Sequence, residues 1–313
     1  MNRIESIFAG LRAEGKTALM PFVVGGHPRP GMLGDLLAGL ERGGASIVEV
    51  GIPFSDPIAD GPVISAAMDE ALRAGCGPTA VFEEVRAARG RVSLGLVAMV
   101  SVSVVHRLGG AKGFCERAAG AGFDGLIVPD APLEASGDLR AAAAAAGLTL
   151  SLLVSPSTPP DRAAAIAQAS TGFVYLLARA GITGERSDAP EISGPAGVLR
   201  AASDLPIACG FGISRAEHVA AVTGEADAAI VGSAMVRRLG EAASAGRDAP
   251  AEGEAMAREL AGGLRSGPRT DAKSSGVGGV RDEPARSASI AEDATPPLSS
   301  EDGSAGERVS TDG

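Results

Sequence analysis

An α/β fold, a closed barrel of eight parallel strands each followed by a helix, is the architecture this sequence predicts, and three observations carry it. Short β-branched runs alternate strictly with helical stretches, giving eight strand-helix units. The chain has 313 residues, enough for one barrel of roughly 250 residues and an appendage. Beyond residue 267 the apolar content falls away, which confines the core to what precedes it. The reading is therefore a single (β/α)8 TIM-barrel domain over residues 1–267, with an extra N-terminal helix, and a disordered tail over 268–313.

In chain order, 4–14 reads as a short amphipathic helix, because Ile4, Ile7, Phe8 and Leu11 fall on one stripe. The first buried strand is 18–24, ended by Gly25-Gly26-His27-Pro28, and a helix follows over about 30–42. The second strand, 46–50, runs into a proline-rich loop and then helices over 63–73 and 79–89, separated by Gly75-Cys76-Gly77-Pro78. A long run of Val and small residues makes the third strand 93–103, with a helix near 113–121. The fourth strand is 124–129, with an Ala-rich helix over 133–146. The fifth is 148–154, with its helix over 160–169, and the sixth is 172–177. The polar stretch 179–188 is too long for a plain connection. The seventh strand, 205–209, precedes a helix from Ser214, and the eighth, 226–231, precedes one from Ser233.

Hydrophobic residues make up 45% of the chain and aromatics only 3%, so the core is built from Ala, Val, Leu and Ile. A formal charge of −10 argues against nucleic acid, which needs clustered basic groups. No apolar stretch is long and pure enough for a bilayer, and the start lacks the apolar centre of a signal peptide. Cys76, Cys115 and Cys209 are isolated and odd in number. They read as buried thiols in a reducing cytoplasm.

The stretch from Val48 to Pro62 holds the candidate chemistry. Alternation along the second strand puts Ile47, Glu49 and Gly51 on one face and Val48 and Val50 on the other. If the valines pack outward on helices, Glu49 points inward at the strand's carboxyl end, and burial there raises its pKa toward the range of a general acid-base. The bland alternative is a solvated strand-end Glu. The following loop speaks against it, with Pro53, Pro57 and Pro62 restricting the backbone and Asp56 and Asp60 supplying acceptors. Barrels of this kind bind phosphate in the loops after strands seven and eight, where this chain has Gly210-Phe211-Gly212 and Gly232-Ser233 opening a helix. Gly184, in the sixth loop, can close over the same group. The lysines, Lys16, Lys112 and Lys273, miss the strand ends a Schiff-base aldolase needs, and His27, His106 and His218 lack metal-ligand spacing. Carboxylate acid-base chemistry on a phosphorylated compound is what this leaves.

The run Glu49-Val50-Gly51-Ile52-Pro53-Phe54-Ser55-Asp56-Pro57 with Ala59-Asp60-Gly61-Pro62 resembles the signature of the tryptophan synthase alpha chain family. Pro21-Phe22, Ile127-Val128-Pro129-Asp130, Tyr175-Leu176-Leu177, Arg179 to Gly184, Gly210 to Ser214 and Gly232-Ser233-Ala234 recur in register with it, over roughly residues 1–266. The resemblance implies cofactor-free retro-aldol cleavage of indole-3-glycerol phosphate to indole and glyceraldehyde 3-phosphate. It implies that Glu49 is the general acid-base and that Asp60 accepts from the indole N–H. Phe22, Ile64, Ile127 and Tyr175 correspond to the walls around the indole, and Thr183 to a contact with Asp60. Gly184, Gly212, Gly232 and Ser233 correspond to the phosphate cradle. The family passes indole to a pyridoxal-phosphate beta chain in an alpha2-beta2 tetramer, and Pro53, Asp56 and Pro57 would face that partner.

Some residues depart from the pattern. The Tyr and Asn usual at the third strand's end are assigned to Val102 and Val104, the Thr and Asp after Pro-Phe-Val are Val24 and His27, and the serine usual before Arg179 is Ala178. Besides the subunit role, these changes leave two alternatives: a free-standing lyase releasing indole, and a weakly catalytic paralogue that regulates a beta chain.

Overall fold

The computed structural model describes residues 1–57, 60–178, 191–210 and 212–267. Its strands are β1 (Ala18–Val24), β2 (Ile47–Gly51), β3 (Gly95–Met99), β4 (Gly125–Ile127), β5 (Thr149–Ser151), β6 (Leu153–Val154), β7 (Val174–Leu177), β8 (Ile207–Gly210) and β9 (Ala228–Val231). All pair in parallel, in the order β5-β4-β3-β2-β1-β9-β8-β7-β6. The two ends of that order are halves of one segment. Only Leu152 separates β5 from β6, and its carbonyl accepts the Tyr175 N–H at 3.1 Å. One half pairs with β4 and the other with β7, which closes the sheet into the expected barrel of eight strand segments.

The helices are α1 (Arg3–Ala13), α2 (Leu33–Arg42), α3 (Pro62–Arg73), α4 (Pro78–Ala88), α5 (Val102–Arg107), α6 (Gly110–Ala121), α7 (Gly137–Ala145), α8 (Pro160–Ala169), α9 (Ser193–Ala202), α10 (Ala216–Glu225), α11 (Ser233–Ser244) and α12 (Ala249–Ala261). Period-two alternation along the strands makes two cores. Val48, Val50, Leu96, Ala98 and Leu126 pack outward on the helices, while Ala18, Met20, Ile47, Val97, Ile127, Tyr175, Ala208 and Ile230 fill the barrel.

The amino-terminal end of the barrel is plugged by α1. Its capping box ties Asn2 to the Ile4 N–H and Glu5 to the Asn2 N–H, and the Asn2 amide holds the carbonyls of Asp124 and Gly147, each at 2.8 Å. Ile4 and Phe8 then enter the interior cluster, with the Phe8 ring 5.9 Å from that of Phe173. Gly125 admits them, since a Cβ there would stand 2.9 Å from Ile4 Cδ1. Burying the two side chains contributes about 1.5–3 kcal/mol each. With that end filled, the opposite end is the one open to chemistry.

The third strand is shorter than its valines suggest. β3 stops at Met99, and Val102 to Arg107 form α5. Ser101 caps this helix, its hydroxyl accepting the Ser103 N–H at 3.2 Å, while Asp130 accepts the Ser101 hydroxyl at 2.7 Å and the Val102 N–H at 2.8 Å. Capping and burial of Val104 and Val105 outweigh the β preference of a valine run, which depends on context. Val102 and Val104 therefore do not end a strand at the mouth. The strand-end position facing inward belongs to Met99, in register with Gly51 and Ile127.

Besides α5, the helices α9 and α12 were not among the predicted elements. α12 is N-capped by Asp248, which accepts the Ala251 N–H at 3.2 Å, and it lies across α2 with buried Met256, Ala257 and Leu260. Cys76, Cys115 and Cys209 are unpaired and buried, as expected. Among the described residues no helix is long and apolar enough to cross a membrane. The predicted tail, 268–313, lies outside the described residues.

Candidate active site

Glu49 sits at the centre of β2 and faces into the barrel, flanked in register by Phe22 on β1 and Val97 on β3. Its side chain is 0% exposed, and neither carboxyl oxygen has a hydrogen-bond partner among the described residues. Burial alone pushes its pKa well above the ordinary carboxylate range, favouring the protonated acid. A buried polar group without partners costs about 1–3 kcal/mol, so a fold that retains one here bears a cost that packing does not explain.

Two other polar groups share this interior. Tyr175 on β7 is buried, and its hydroxyl lies over Gly210, where a Cβ would come within 2.6 Å of it. Burial raises the Tyr175 pKa well above the usual phenol value, and the negative charges of Glu49, Cys209 and Asp60 add to the effect. Both carboxyl groups thus lie within electrostatic reach of the phenol. Asp60 is partly exposed, ahead of α3. Its N–H donates to the Pro57 carbonyl at 2.9 Å, its own carbonyl accepts the Ser65 hydroxyl at 3.3 Å, and burial raises its carboxyl to about 6. Two carboxyl groups in one chamber with different environments are the arrangement that separates acid from base roles.

The chamber is lined by apolar groups. Phe22 lies against Gly51, where a Cβ would stand 2.6 Å from the ring's Cζ, so glycine there makes room for the aromatic wall. Ile64, in the first turn of α3, and Ile127, on β4, are both buried. Alternation and register add Met99, Leu153 and Leu177, partly buried against the interior cluster, which the sequence reading missed. Alternation offers every second residue of β3, β6 and β7, and the register between strands selects these three.

At the rim, α11 opens at Gly232-Ser233 without a side-chain cap. A Cβ on Gly232 would lie 3.8 Å from both Ile64 Cδ1 and Phe22 Cβ, so the uncapped helix end adjoins the apolar walls. Ser233 is buried, and Gly212 turns at φ +81° after β8. Free N–H groups at a helix start with a glycine turn alongside suit an anion such as phosphate. In the loop after β2, Pro53 is buried, Asp56 exposed and Pro57 half-buried, and the Ser55 hydroxyl donates to Asp56 at 2.7 Å. Of the departures, Val24 and Ala178 are buried apolar residues, and the Ala178 N–H donates to the Gly210 carbonyl at 2.8 Å. Thr183, Gly184 and Phe211 lie outside the described residues.

Comparison with known proteins agrees with this geometry. The family model described as "Tryptophan synthase alpha chain" matches residues 8–265. The tryptophan synthase alpha chain of Synechococcus sp. (strain CC9902) is 44% identical over 237 residues, 75% of this chain and 88% of the relative. That of Carboxydothermus hydrogenoformans is 41% identical over 237 residues, with the same coverage of 75% and 88%. Among solved structures, Mycobacterium tuberculosis tryptophan synthase in space group F222 superposes with a TM-score of 0.77 at 34% identity, covering 85% of this chain and 99% of that one. Tryptophan synthase subunit alpha from Legionella pneumophila str. Paris gives 0.75 at 32% identity, covering 83% and 97%.

Proposed function

The chain belongs to the tryptophan synthase alpha chain family, and on that premise we propose that residues 1–267 form a lyase domain cleaving indole-3-glycerol phosphate to indole and glyceraldehyde 3-phosphate. The observation that carries the reading is Glu49, an acid wholly buried inside the barrel with no hydrogen-bond partner among the described residues. Its raised pKa makes it a proton donor to the indole ring carbon that bears the side chain. Protonation there moves positive charge onto the ring nitrogen, whose N–H donates to the Asp60 carboxylate. The conjugate base of Glu49 takes the proton of the hydroxyl next to the scissile bond. The carbon-carbon bond then breaks, its electrons return to the ring, and an aldehyde is left. One proton is delivered and one removed, so the balance needs no cofactor on this chain.

Phe22, Ile64, Ile127 and Tyr175 hold the indole, and exclusion of water by these walls strengthens the Asp60 contact as charge develops. Gly212, Gly232 and Ser233 hold the phosphate, and the family resemblance adds Gly184 to that cradle and Thr183 as a partner of Asp60. The chain works in the cytoplasm as one of the two alpha subunits of an alpha2-beta2 tetramer. It passes indole to a beta chain that carries pyridoxal phosphate, and Asp56 and Pro57 face that partner from the loop that buried Pro53 anchors. Steady-state cleavage of indole-3-glycerol phosphate by the purified chain, alone and with a matching beta chain, tests the reading. Slow cleavage that rises steeply with the partner is expected. Undetectable cleavage in both conditions would refute it.

A further inference from the structure

His27 stands three residues past β1 with its imidazole lodged between two helices, 7% exposed. Nε2 lies 3.2 Å from the carbonyl oxygen of Val236 in the first turn of α11, and Nδ1 lies 3.2 Å from Oε2 of Glu70 on α3. The Nδ1 contact has ion-pair separation without hydrogen-bond alignment. Gly240 forms the seat, because a Cβ there would stand 3.3 Å from both Cε1 and Nε2, so the ring rests on bare backbone. Both polar neighbours are acceptors. The Val236 carbonyl requires a proton on Nε2, and the Glu70 carboxylate draws the other edge of the ring toward α3.

The helices that His27 joins are those whose first turns reach the site. α3 begins two residues after Asp60 and carries Ile64, while α11 begins at Ser233. We propose that His27 is a positioning residue that fixes the first turn of α11, and with it the Gly232-Ser233 phosphate cradle, against α3. This rests on the phosphate assignment under Proposed function. The substrate's phosphate does not change during cleavage, so a cradle held slightly out of place weakens ground state and transition state alike. That loss appears in KM and leaves kcat nearly untouched. A role confined to stability would lower the melting temperature and move neither.

The test is steady-state cleavage by the full chain with a matching beta chain, comparing wild type with His27→Ala, His27→Gln, Glu70→Ala and the His27→Ala/Glu70→Ala double variant. His27→Ala should raise KM about fivefold, the worth of one hydrogen bond, with kcat within about twofold. His27→Gln should recover most of that KM, because its amide can still donate to the Val236 carbonyl. Glu70→Ala should raise KM about twofold, and the double variant should match His27→Ala, since Glu70 acts through the ring. Should His27→Ala fail to fold, Glu70→Ala decides alone, its side chain being 62% exposed and dispensable for packing. An unchanged KM in the folded variants beside an active wild type would overturn the inference and leave the lyase reading standing. A wild type that neither cleaves nor binds the substrate would overturn both.

Discussion

Replacing Glu49 by Gln separates what the buried acid does for catalysis from what it does to stability. The amide has the same shape and, like the protonated acid, leaves polar atoms unpaired in the barrel, so at low pH the two proteins should melt within a few degrees of each other. They should diverge as pH rises. The Glu49 pKa lies well above 4.5 when folded and close to 4.5 when unfolded. The folded protein therefore binds the extra proton, and the stability this group contributes is fully present below the unfolded value and lost as pH climbs through the folded one. Each pH unit in that window costs about 1.4 kcal/mol, or roughly 3–5 °C in a domain of this size. Melting curves of both proteins between about pH 5 and pH 6 should thus show the Gln variant gaining roughly 3–5 °C on wild type. The same variant should lose at least about a hundredfold in cleavage, because an amide cannot exchange the proton. Parallel melting curves would show that the carboxyl titrates as if solvated, and near-normal turnover would remove it from the mechanism.

Asp60 must be ionised to accept the indole N–H, so turnover should fall as pH drops through about 6, and that acid limb should vanish in Asp60→Asn. The Asn variant should also lose roughly 10- to 100-fold in kcat with a smaller change in KM, because a bond to a charged acceptor is lost as the ring charge develops; equal losses in both would make Asp60 a binding group only. Gly51→Ala would put a Cβ 2.6 Å from Phe22 Cζ. It should cost roughly 1–3 kcal/mol of stability and tilt the ring into the indole site, visible as a lower melting temperature and lower kcat/KM; an unchanged melting temperature would show that the ring moves freely. Removing residues 268–313, which are poor in apolar side chains, should leave activity and melting temperature as they are; a drop in either would show that they dock on the barrel.

The parts of this chain that were legible in its sequence are those governed by period-two alternation. Ile47, Val48 and Val50 fall on the faces that alternation assigns, and Glu49 follows from them without any knowledge of the fold. The valine run after Met99 was misread because its fate is decided by Asp130, far along the chain, which caps a helix where valine alone favours a strand. α12 was missed for a related reason. Its Ala, Glu and Gly content has little pattern until α2 and α11 supply the surface it packs on. In the site, Glu49 and Asp60 were readable as residues, but Met99, Leu153 and Leu177 became wall candidates only once the register of neighbouring strands was known.

The walls of the chamber depend as much on what is absent as on what is present. Gly51 and Gly210 stand where a single methyl group would strike Phe22 and the Tyr175 hydroxyl. Both aromatic rings thus lie in space vacated on the neighbouring strand, and both border the buried acid. A barrel built for stability alone would put an apolar side chain at 49, which would remove the unpaired carboxyl. The acid, its two aromatic neighbours and the two glycines are therefore one arrangement. An apolar residue at 49 should stabilise the fold while abolishing chemistry, whereas filling either glycine should harm both, because the displaced ring has nowhere to go except the space that the substrate needs.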